Sequence, residues 1–198
     1  MTRYFRTILG VAACFLPAMA LAQAERTLER PSAFAGIADS HERSVALFKD
    51  AGKVLQNPRC VNCHPAGDRP LQGNDEHLHE PPVRRGLDGH GVAGLHCTTC
   101  YQAANFDAVA MPGHPDWHLA PLSMAWQGRS LSQTCEQLKD PARNGGRSPQ
   151  QILAHLADDP LVGWAWSPGF GREPAPGTQK ELAALIEAWL DTGAVCPK

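Results

Sequence analysis

Two short segments carry most of the chemistry open to this chain: Cys60-Val61-Asn62-Cys63-His64 and Cys97-Thr98-Thr99-Cys100-Tyr101. In a C-x-x-C-H segment one turn of backbone spaces two thiols to add across the two vinyl groups of a single haem. The following imidazole can then supply a neutral nitrogen to the iron. Cys60, Cys63 and His64 meet each requirement, so covalent haem c is expected there. The second segment has both thiols, Cys97 and Cys100, but Tyr101 where the imidazole would stand. Three outcomes stay open for it: a second haem with Tyr101 phenolate on the iron, a second haem ligated from elsewhere with His96 or His114 nearest in sequence, or no haem and a tight disulfide. A rival reading joins both pairs in a tetrahedral Cys₄ zinc or iron-sulfur site. It explains four sulfurs at once, but leaves His64 without a role and needs a long spacing between the pairs.

Further donors are the imidazoles of His41, His77, His79, His90, His96, His114, His118 and His155 and the thioethers of Met111 and Met124. A thioether ligand raises an iron potential and a second imidazole lowers it. Met124 sits between Trp117-His118-Leu119-Ala120-Pro121 and Ala125-Trp126, an aromatic neighbourhood suited to walling a haem. Met124, His118 and then His90 are the leading distal ligands. His155, three residues after Ile152 on an apolar helical side, reads equally well as a satisfied core histidine. His77 and His79 lie among polar residues and are expected to be solvated. The Trp164-Ala165-Trp166 segment could shield a haem edge, although core filling is the more frequent outcome. Cys135 and Cys196 are left over as single cysteines, and in an oxidising compartment they are expected to pair.

These groups need elements to hold them. Asp39 with Glu42 opens a helix whose Leu47, Phe48, Ala51, Val54 and Leu55 recur at helical spacing until Asn57-Pro58, giving about 40 to 56. Ser130 with Gln133 opens a second near 130 to 139, and Ser148-Pro149 with Gln151 a third ending near Asp158 before Pro160. Thr178 with Glu181 opens the last, with Leu182, Leu185, Ile186, Trp189 and Leu190 as its stripe and Gly193 as its stop. Strand signals are nearly absent, so the fold class is mainly α with long irregular loops at about 57 to 129 and 159 to 177. Both C-x-x-C-bearing segments lie in the first loop, with the motif of Cys60 to His64 expected on a turn because Pro65 biases His64 away from helical angles. Loops of that length imply an organising cofactor or a lack of structure.

The N-terminus has Arg3 and Arg6, an apolar run from Ile8 to Leu21, and small residues at Ala20, Ala22 and Ala24. That is the pattern of an export signal, cleaved after Ala22 or Ala24, and Pro17 within a short run argues against a membrane span. Val11-Ala12-Ala13-Cys14 only loosely resembles a lipobox. The expected organisation is a signal over 1 to 24 and one domain of ordinary size over 25 to 198, with one or two haem sites, placed in the periplasm. Loss of the two arginines takes the formal charge from −2 to −4, which argues against nucleic acid as a partner. The 18 glycines and 17 prolines suit long loops around a buried apolar cofactor.

The chain resembles the c-type cytochromes, and within them the small exported dihaem proteins described as isoquinoline 1-oxidoreductase subunits. The resembling stretches run from Pro58 to Gly73 (PRCVNCHPAGDRPLQG), Gly89 to Cys100 (GHGVAGLHCTTC), Gln137 to Gly146 (QLKDPARNGG) and Asp159 to Gly169 (DPLVGWAWSPG). The resemblance implies a cytochrome-c-like dihaem electron carrier that works beside a molybdenum hydroxylase oxidising N-heterocycles or aldehydes. Tyr101 departs from that family, whose second motif ends in His. No nucleophile-base pair, phosphate loop or carboxylate pair is visible, so hydrolase or transferase chemistry is not expected. The enzymatic alternative is a peroxidase or reductase with an open iron, and the non-haem alternative is a structural zinc protein.

Overall fold

The computed structural model describes residues 26–198, so the expected export signal lies outside the described residues. Helices dominate. The long ones are α1 (Ser40–Leu55), α3 (Leu131–Lys139), α4 (Pro149–Asp158) and α6 (Gln179–Asp191). Two one-turn helices, α2 (Pro58–Val61) and α5 (Pro160–Gly163), directly follow α1 and α4. No helix among the described residues is long and apolar enough to cross a membrane.

Each long helix begins where its polar residues can satisfy free backbone N–H groups. The Asp39 carboxylate accepts from the N–H of Glu42 at 2.8 Å and opens α1. Ser130 with Gln133, and Ser148 with Gln151, form reciprocal capping boxes at α3 and α4. The Thr178 hydroxyl accepts from the N–H of Glu181 at 3.2 Å and opens α6. These starts agree with the sequence pattern, and the ends fall within a residue or so of it.

The core is a slab between α1 and α6. Leu47, Phe48, Ala51, Val54 and Leu55 of α1 are fully buried against Leu182, Leu185, Ile186 and Trp189 of α6. Phe48 and Trp189 meet with ring centroids 4.8 Å apart and tilted by 45°. Ile152 and Leu156 of α4 close one side. At Gly52 a Cβ would lie 2.7 Å from Leu131, so the missing side chain lets α3 lean on α1. The buried Trp189 donates its indole N–H to the Val195 carbonyl at 2.9 Å, and the N–H of Val195 donates to the Ser44 hydroxyl at 2.9 Å. Cys135, fully buried on α3, is disulfide-bonded to Cys196, which pins the tail beyond α6.

The two long loops have more structure than their sequence suggests. The first contains two small antiparallel hairpins, β1 (Leu71–Gln72) with β2 (His77–Leu78) and β3 (Gly91–Val92) with β4 (Leu95–His96), and several single 3₁₀ turns. Cys60 lies within α2 and not on a plain turn as expected. The reason is Asn57-Pro58: Asn57 accepts from the N–H of Arg59 at 2.9 Å and Pro58 takes the first helical position, so a pair that stops α1 also starts α2. Asp159-Pro160 repeats the device between α4 and α5.

The disulfide links residues 61 apart, and on the chain-entropy estimate its removal costs about 4 kcal/mol. The double variant C135A/C196A should therefore melt about 10 °C lower than the wild type. A melting temperature unchanged in scanning calorimetry would show that the bridge does not constrain the tail.

Candidate functional site

The one-turn helix α2 puts the first motif on a single loop of backbone. The N–H of Cys63 bonds to the Cys60 carbonyl at 3.1 Å and that of His64 to the Val61 carbonyl at 2.9 Å, which gathers two thiols and an imidazole on one turn. The segment is then tied to a distant loop. The N–H of Ala120 reaches the Cys63 carbonyl at 3.0 Å, and the N–H of Trp126 reaches the His64 carbonyl at 2.8 Å.

His64 is the most constrained side chain of the group. Its Nδ1 lies 2.7 Å from the Met124 carbonyl. A carbonyl oxygen can only accept, so Nδ1 carries the proton and Nε2 keeps its lone pair. The ring stacks on Trp126 with centroids 3.7 Å apart and planes 8° from parallel. Burial, opposed by the Met124 hydrogen bond, lowers the imidazole pKa to about 4, so the ring is neutral at neutral pH. Burial likewise pushes Cys60 up to about 12 and Cys63 up to about 11, so both are neutral thiols.

These groups open onto a cleft that also takes in Met124, His118 and His155. Met124 is buried, and its carbonyl is the partner that holds His64. His155, near the end of α4, points Nδ1 at the Asp159 carboxylate 3.0 Å away. That contact leaves Nε2 of His155 free, as it does in His64. Arg59 is buried in the wall and has no carboxylate within 4.0 Å among the described residues; its Nε has no hydrogen-bond partner.

Cys97, Cys100 and Tyr101 line a second cleft with His79, His96, Met111 and Trp117. Cys97 and Cys100 are free thiols. His79 is buried, contrary to its expected solvation, because the β1–β2 hairpin turns it inward. Its Nδ1 faces the Pro81 carbonyl at 2.9 Å and therefore donates, so Nε2 accepts the hydrogen bond from the Tyr101 hydroxyl. Burial raises the Tyr101 pKa above its ordinary value, so Tyr101 is a protonated phenol in this arrangement. The two clefts share Arg59, Cys63 and Trp164 in their walls. Tyr101 packs on Trp117 with centroids 4.9 Å apart, and Trp117 packs edge-on to Trp164 at 4.8 Å. Three aromatic rings in contact thus run from the second thiol pair to the shared wall.

Among the described residues the four motif sulfurs do not meet in one coordination sphere. His90 and His118 do come together, with Asp116 between them, and His118 also lines the first cleft. His41 stands apart on α1, and His114 accepts from the N–H of Asp116 at 3.1 Å. No protein-family model, no curated protein and no solved structure matches the chain.

Little in the sequence marks the pairing of His155 with Asp159, His79 as partner of Tyr101, or Arg59 as a wall cation. The i,i+4 spacing of His155 and Asp159 was the one local signal available.

The neutral His64 predicts a pH dependence. The unfolded imidazole binds a proton below about 6.5, while the folded one does so only near 4. Across that window the unfolded state holds more protons, so the stability of the chain should fall as pH drops from about 6.5 to about 4. Urea unfolding followed by tryptophan fluorescence should show this slope, reduced in H64Q. An identical slope in H64Q would place the titration elsewhere.

Proposed function

We propose that the chain is an exported, periplasmic c-type cytochrome, cytochrome-c-like in using its cofactor as interior, that carries single electrons. The observation that carries the reading is His64: the residue after a C-x-x-C pair, neutral, with Nδ1–H bound to the Met124 carbonyl and Nε2 left to a cleft that both thiols line. Orientation of one imidazole nitrogen through a hydrogen bond on the other is what a metal ligand requires.

The residues present fit the group. Cys60 and Cys63 are protonated thiols on an apolar wall, suited to thioether formation. Trp126 covers one face of His64 and excludes water from it. Arg59 supplies a buried cation with an unpartnered Nε, which a propionate carboxylate would compensate. Haem bound there supplies a one-electron iron(III)/iron(II) couple. Of His155, His118 and Met124, which line the same cleft, His155 would be the further residue to hold the group. Its Nδ1 is held by the Asp159 carboxylate, whereas His118, held by the Asp116 carbonyl, is stacked on His90, and the Met124 backbone is engaged behind His64.

The second pair, Cys97 and Cys100, is the place for a second haem. Tyr101 would not serve as its phenolate ligand while it donates to His79, and His79, His96 and Met111 line the same cleft. The Tyr101, Trp117 and Trp164 contacts would then couple the two clefts. A redox partner, such as the molybdenum hydroxylase implied by the resemblance, would supply the electrons.

Optical spectroscopy of exported protein from a haem-c-competent host tests the role of His155. Wild type should be low-spin. H155F should turn high-spin, and D159N, which weakens the donor strength of His155, should shift the midpoint potential positive. A colourless protein, or an H155F spectrum identical to wild type, would contradict the proposal.

A further inference from the structure

Two loop segments far apart in sequence, Asp88 to His90 and Asp116 to Leu119, are clipped side by side. The N–H of Leu119 donates to the Gly89 carbonyl at 2.9 Å. Gly89 has φ of +86°, and a Cβ there would lie 2.5 Å from the Leu119 carbonyl oxygen, so only glycine allows this approach. The consequence is a pair of imidazoles: His90 and His118 stack with centroids 4.9 Å apart and planes 27° from parallel.

Asp116 completes a three-donor group. Its Oδ1 lies 3.5 Å from His90 Nε2, and one donor atom from each of the three residues lies within 4.8 Å of the others. His118 Nδ1 lies 2.7 Å from the Asp116 carbonyl and therefore donates to it, which leaves Nε2 as the nitrogen of His118 that can bind an ion. Two ligands bound at about 2.0–2.1 Å to one tetrahedral ion stand roughly 3.4 Å apart. The carboxylate is therefore already near ligand spacing from His90 Nε2, and the Nδ1 hydrogen bond fixes the ring of His118. His90 is further fixed by its own N–H, which donates to the Asp88 carboxylate at 3.0 Å. The side chains of His90, Asp116 and His118 are 41%, 66% and 33% exposed, which leaves an ion open to entry and to water as a further ligand.

We infer that His90, Asp116 and His118 bind one divalent transition-metal ion of the zinc and copper class. Two imidazoles with one carboxylate suit that class and do not suit calcium or magnesium, which take oxygen ligands. The site uses neither thiol pair and does not rest on the cytochrome reading.

The test is calorimetric titration of zinc chloride into the full exported protein after chelator treatment, at pH 7.5. One equivalent should bind saturably, H90Q and D116N should each weaken it about tenfold or more, and H77Q, which removes an exposed histidine paired with Asp75, should not. Zinc should also raise the melting temperature of wild type but not of D116N, whose own melting curve reports whether it folds. Calcium at the same concentration should not compete. Absence of saturable binding, or wild-type binding by both H90Q and D116N, overturns the proposal. A colourless protein that binds one zinc through these residues supports the site while removing the cytochrome reading. A haem spectrum altered by H118Q, with no zinc bound, assigns His118 to the haem and overturns the metal site.

Discussion

The hydrogen bond from His64 Nδ1–H to the Met124 carbonyl joins two parts of the chain sixty residues apart. It selects one tautomer, and the stack on Trp126 selects one ring plane. Burial removes the competing protonated form. The same neighbourhood binds the backbones together, since Trp126 and Gln127 both donate to the His64 carbonyl. Without that clamp the turn bearing Cys60 and Cys63 would have no fixed relation to the loop from His118 to Trp126, and the first cleft would have no second wall.

The helical slab beneath does not itself hold the clefts open. Between α2 and α3 the loop backbone has two short hairpins, an isolated bridge between Phe106 and Met111 and single 3₁₀ turns, and arginines take over much of the work of pairing its carbonyls. Arg85 reaches the Ala120 carbonyl and, at 3.2 Å, that of Gly67. Arg59 takes the Gly73 carbonyl at 2.6 Å and Asn74 at 3.0 Å. Arg69 takes the His79 carbonyl at 2.7 Å, and Arg172 the Ala110 carbonyl. A guanidinium has several donors in a rigid fork, so one side chain can staple two loop segments that no strand joins. Arg59 is the member of this set that also faces both clefts, where its positive charge is available to an anionic group.

What could be read from sequence divides by range. Helix starts at Asp39, Ser130, Ser148 and Thr178 were legible because each cap and the N–H it accepts from lie three residues apart. The Cys60 to His64 motif was legible for the same local reason. Asn57-Pro58 and Asp159-Pro160 were legible only as stops, because a residue pair that ends one helix carries no local mark of opening the next. Pairings such as His79 with Tyr101, or His90 with His118, depend on hairpins and on the approach at Gly89. No spacing rule reports contacts of that separation. His155 stayed ambiguous because an apolar helical side suits a core residue and a ligand alike, and its place in the wall of the first cleft depends on contacts no local spacing reports.

The central claim is a covalent one, that two thiols and one imidazole on a single turn hold a porphyrin. Intact-mass measurement of the protein exported by a haem-c-competent host tests it most directly, with digestion to place the added mass. The account expects at least one whole haem attached to the peptide containing Cys60 and Cys63, and a second on the Cys97 and Cys100 peptide if that cleft is filled. A mature chain with no haem added, or haem found only on the peptide of Cys97 and Cys100, would contradict it.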